Sequence, residues 1–77
     1  MADFTKDELY KSFTACLGKE KAVELVNGTL TRIGVPTKEK YSPDEVLKLC
    51  EEFANETGLV AVVAKLLKSQ AHLRKAS

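Results

Sequence analysis

Leu59-Val60-Ala61-Val62-Val63-Ala64-Lys65-Leu66-Leu67 is the most apolar run of the chain. It holds a single charge, in a sequence where charged residues make up 30%. On a helix, Leu59, Val60, Val62, Val63, Leu66 and Leu67 cover well over half of the circumference. That is wider than the stripe of an ordinary surface helix. The run is therefore expected to open a central C-terminal helix, over about residues 59–75, covered on several sides by its own chain or by a partner. Burial of all six side chains would contribute roughly 9–18 kcal/mol before ordering entropy is subtracted.

Working back from this run, Gly58 separates it from a helix over about 42–57. That helix opens with Tyr41-Ser42-Pro43-Asp44-Glu45-Val46. Ser42 is placed to cap, Pro43 to take the first helical position and Glu45 to close a capping box. Tyr41 can pack on Val46 as a hydrophobic staple. Val46, Leu49, Cys50 and Phe53 mark the buried face. The same device occurs at the start of the chain, in Phe4-Thr5-Lys6-Asp7-Glu8-Leu9. Thr5 and Glu8 form the box, and Phe4 and Leu9 the staple. A helix follows over about 5–17, with Leu9, Phe13, Cys16 and Leu17 inward. Gly18 breaks it, and a second helix runs over about 19–33 with Ala22, Val23, Val26, Leu30 and Ile33 inward. Gly28 is tolerated within it, and Gly34 and Pro36 end it.

The predicted fold is all-α: four helices forming two helix-turn-helix hairpins in a compact bundle, one domain over residues 1–77. The matched starts suggest pseudo-two-fold symmetry between the hairpins. The segment 35–41 reads as a polar loop whose charges form a solvated tip. Tyr10 and Tyr41 read as core-edge residues with their hydroxyls in water.

Composition limits the functional classes. Twelve basic and eleven acidic residues leave a net charge of +1, which does not resemble a dedicated nucleic-acid binder. The apolar run is about half of the roughly 20 residues that a membrane span needs. Cys16 and Cys50 read as reduced residues in a cytoplasmic protein. No catalytic, cofactor or metal motif is present. His72 has no acid, serine or cysteine beside it. The adjacent pairs Asp7/Glu8 and Asp44/Glu45 point in different directions on their helices, and capping explains them. The chain is accordingly expected to be non-enzymatic.

Two surfaces of the C-terminal helix are candidates for partner binding. One is apolar: Val60, Val63 and Leu67. The other is a basic strip of Lys65, Lys68, His72 and Lys75, with Arg74 nearby. The leading expectation is a protein–protein interaction module, self-association through this helix being one form of it. The alternative is nucleic-acid binding through the basic strip. The strip lacks the interleaved aromatics of a single-strand binder and the Arg, Asn and Gln cluster of a base-reading helix.

Overall fold

Thr5 and Ser42 start the two hairpins in the same way. The Glu8 backbone N–H donates to Thr5 Oγ1 at 3.1 Å, and the Thr5 N–H donates to Glu8 Oε1 at 3.1 Å. In the second box the Glu45 N–H donates to Ser42 Oγ at 3.2 Å and the Ser42 N–H to Glu45 Oε1 at 2.9 Å. Each box satisfies backbone donors that a helix start leaves without partners. The staple residues Phe4, Leu9, Tyr41 and Val46 are all buried.

The computed structural model describes residues 3–53 and 58–76. Its elements in chain order are β1 (Phe4–Thr5), α1 (Lys6–Leu17), α2 (Lys19–Arg32), β2 (Lys40–Tyr41), α3 (Pro43–Phe53) and α4 (Leu59–Ala76). The predicted helix over 42–57 is seen through Phe53, and its last part lies outside the described residues. Helix α1 packs on α2, and α3 on α4. Across the hairpins, α1 meets α4 and α2 meets α3. The all-α bundle of two hairpins predicted above is the fold observed, with one small addition.

That addition is a two-residue antiparallel ladder between β1 and β2, pairing Phe4 with Tyr41 and Thr5 with Lys40. Phe4 and Tyr41 are the equivalent residues of the two matched starts. An antiparallel ladder that sets equivalent residues opposite each other is what a local two-fold axis produces. The Lys6 N–H continues the pairing by donating to the Glu39 carbonyl at 3.0 Å. Segment 35–41 is thus more than a solvated tip. Lys38 pairs with Glu45 at 2.7 Å, and Glu39 with Lys6 at 3.1 Å. Tyr41 is buried rather than at the core edge, and its hydroxyl accepts from the Lys38 N–H at 2.9 Å. The ladder draws the ring inward, and the backbone N–H replaces the water that the hydroxyl was expected to meet.

Gly18 alone links α1 to α2. Its N–H donates to the Thr14 carbonyl and its own carbonyl accepts from the Ala22 N–H. Its φ of 83° with ψ of 161° is a region that residues with a Cβ avoid. At the other end of α2, the Gly34 N–H donates to the Thr31 carbonyl and the Val35 N–H to the Leu30 carbonyl. This is a Schellman closure with Gly34 at φ 80°.

The centre of the molecule is aromatic. Phe4, Phe13, Tyr41 and Phe53 are all buried, and the rings of Phe13 and Phe53 meet edge to face with centroids 4.8 Å apart. Helix α4 is therefore not the central helix that its composition suggests. It buries Ala64, Leu67 and Ala71, with Val60 and Val63 half-buried against the core. The aromatic rings already fill the interior. The two alanines let α4 lie close against the other helices, with Leu67 as its one large fully inward side chain, while Leu59, Val62, Leu66 and Leu73 point outward.

Candidate functional site

The outward side chains of α4 make the most unusual surface on the molecule. Leu59 is 65% exposed, Val62 53%, Leu66 62% and Leu73 71%. With Ser69 they alternate at spacings of three and four residues along one line of the helix. That alternation is the spacing found at the contact seam of paired helices. Scattered single apolar residues on a surface are ordinary, whereas a contiguous row is not.

The sequence-selected apolar residues lie further round the same helix, toward the core, with Val63 next to the row. Leu67 is 3% exposed and belongs to the core, and Val60 and Val63 pack against it. The width of the run shows that Leu59, Val62 and Leu66 favour cover from the chain or a partner, and does not by itself separate them from Val60, Val63 and Leu67. The three–four spacing, which continues through Ser69 to Leu73, was the signal that separates them. Beside this seam, between α1 and α4, lies a shallow groove of about 190 Å³ lined by Ser12, Val63, Leu66, Leu67 and Gln70.

The basic strip divides into two parts. Arg74 is engaged inside the chain. Its Nη2 donates to Glu8 Oε2 at 2.6 Å and its Nη1 to the Asp3 carbonyl at 3.0 Å. Its guanidinium also lies 3.8 Å above the Phe4 ring. This clasp ties the end of α4 to the first capping box. Arg74 and the Thr5 N–H hold the Glu8 carboxyl below its ordinary range. Lys75 pairs with Asp44 at 2.7 Å. Lys65, Lys68 and His72 are exposed and form no ion pair with another described residue.

The chemistry-bearing groups have structural explanations. The Tyr10 hydroxyl donates to Asn27 Oδ1 at 2.9 Å, joining α1 to α2. Cys16 is half-buried, with its thiol against the Phe13 carbonyl. Cys50 is buried at a crevice of about 240 Å³ between α3 and α4, lined also by Glu51, Ala61, Ala64, Lys65 and Lys68. Burial pushes its thiol up to about 11, with Lys68 pulling weakly the other way. At neutral pH it is a thiol rather than a nucleophilic thiolate. Among the described residues no group of three or more His, Cys, Asp or Glu side chains could hold a metal ion, and no helix is long and apolar enough to cross a membrane.

Comparison of the chain with models of known families, with curated proteins and with solved structures gave no match. The functional reading therefore rests on the geometry of α4.

Proposed function

We propose that this chain is a non-enzymatic helical interaction module that docks a partner helix along the outer face of α4. One observation carries the proposal: Leu59, Val62 and Leu66 are more than half exposed and lie in a row at seam spacing. In a domain of 77 residues the margin of stability is small. Three large aliphatic side chains kept in water contribute nothing to that margin, so a contact that covers them is the physical reason for their presence. The unbridged thiols of Cys16 and Cys50 are consistent with a reducing, cytoplasmic setting.

The test is a titration of the isotope-labelled chain with a synthetic amphipathic helix carrying Leu at three–four spacing, alongside sedimentation of the chain alone. Chemical shifts are expected to move at Leu59, Val62 and Leu66, and a Val62→Gln/Leu66→Gln variant should lose the response. Concentration-dependent sedimentation abolished by the same variant would identify a second copy as the partner. A chain that stays monomeric and shows no shift at these residues is not a helix-docking module.

The nucleic-acid alternative retains Lys65, Lys68 and His72 but loses Arg74 and Lys75 to Glu8 and Asp44. Few phosphate contacts mean weak binding with a shallow salt dependence. Titration with a short duplex at low salt checks this reading, and absence of binding there ends it.

A further inference from the structure

Resting on the docking reading above, we infer that the partner is an amphipathic helix with acidic residues along one flank of its apolar seam, and not a second copy of this chain. The two flanks of the α4 seam differ. Lys65 and His72 immediately precede Leu66 and Leu73, which places both beside the row on one side. Lys68 lies one turn from Lys65, further round toward α3; both line the crevice that Glu51 also lines, and neither forms an ion pair with it. The other flank is formed by Val63 and Gln70, with Ser12 across the groove, and carries no charge.

Side chains on these flanks face the flanks of a docked helix, and in paired helices they set partner choice and orientation. A second copy laid antiparallel would bring the two Lys65 ammonium groups together. A second copy laid parallel would set Lys65 opposite the uncharged Gln70. Neither arrangement supplies an anion. A helix with Asp or Glu along one flank satisfies Lys65 and His72 together and leaves the uncharged flank against Val63 and Gln70. The internal ion pairs sharpen the contrast, because Arg74 and Lys75 are held by the chain's own carboxylates while Lys65 pairs with none among the described residues. The seam thus supplies the contact area, and the flank supplies the preference among partners.

The experiment uses the full chain and two synthetic helical peptides with the same Leu and Val seam. One carries Glu and the other Lys at the seam-flanking positions. Dissociation constants are read by fluorescence anisotropy at low and at moderate salt. The Glu peptide is expected to bind about tenfold more tightly at low salt, and the advantage should shrink as salt screens the flank. In a Lys65→Glu/His72→Glu variant the preference should reverse. These side chains are exposed, so thermal melting should be unchanged and loss of fold will not mimic the effect. Equal affinity for the two peptides overturns this inference and leaves the docking face intact. Failure of both peptides overturns the docking face itself. Self-association in sedimentation that the charge-reversed variant leaves unchanged overturns the inference in favour of a second copy.

Discussion

Helices α2 and α4 hold equivalent places as the second helix of each hairpin, yet they treat solvent differently. Helix α2 buries Ala22, Val26, Thr29 and Leu30 and faces water with Lys19, Glu20, Lys21 and Glu24. Helix α4 buries Ala64, Leu67 and Ala71 and faces water with Leu59, Val62 and Leu66. A hairpin of this design closes satisfactorily with charges outside, as α2 demonstrates. The aliphatics outside α4 are therefore not needed for closing a hairpin. The difference separates the residues that hold the fold from those available for contact.

The largest effects should come from the inward faces. Leu30→Ala on α2 and Leu67→Ala on α4 are each expected to cost roughly 2–5 kcal/mol, read from urea unfolding. A much smaller loss at Leu67 would mean that α4 is less firmly seated than α2. Next in size is a gain. Gly28 lies inside α2, and a Cβ built there meets nothing within 4 Å. Gly28→Ala should raise stability by about 1 kcal/mol in the same assay. A loss would show that the position is less open than the structure places it.

Outward changes should be smaller still. Leu66→Gln is expected to shift stability by less than about 0.5 kcal/mol, because the side chain is mostly in water in both states. A loss comparable to that of Leu67→Ala would erase the distinction between the two faces of α4. The smallest effect concerns the pin that α4 has at its end. The Glu8 carboxyl is held down by Arg74 and the Thr5 N–H. At Glu45 burial alone would raise the carboxyl, but Lys38 and the Ser42 N–H outweigh it and the net shift is downward. Both groups titrate lower in the folded chain than at their ordinary 4.5. The unfolded chain thus takes up protons first. Stability from these carboxylates is full above that value and is lost as the pH falls through the folded values beneath it. Urea midpoints measured from pH 7 to pH 3 should fall in the acid range, and less steeply for Glu8→Gln.

Local rules made most of the fold readable. The two capping boxes, the staples and the breaks at Gly18 and Gly34 depend on residues a few positions apart, and all appear as predicted. What the sequence concealed involves distant partners. Phe4 and Tyr41 were recognised as equivalents, but two residues give too little alternation to signal a strand. Arg74 was grouped with the basic strip because a helical wheel shows which side chains share a face, not that Glu8, Asp3 and Phe4 wait beside it. The central position expected for α4 fails for a related reason. Hydrophobicity shows that a side chain favours cover, and does not show whether its own chain provides it. Four aromatic rings on other segments had already taken the centre. The packing thus leaves Val60, Val63 and Leu67 against the core and moves the exposed apolar row of α4 to Leu59, Val62 and Leu66.

The clasp at Arg74 also bears on the order in which the chain assembles. Helices α1 and α2 are joined by one residue, so their contacts close short loops at little entropic cost. The ladder must bring Phe4 to Tyr41, and the clasp must bring Asp3 and Glu8 to Arg74 across nearly the whole described chain. Contacts of such long sequence separation come after local ones, since each must overcome the closure of a longer loop. The hairpins should therefore form early and the clasp late. Removal of the Arg74 guanidinium is then expected to speed unfolding while leaving the refolding rate nearly unchanged.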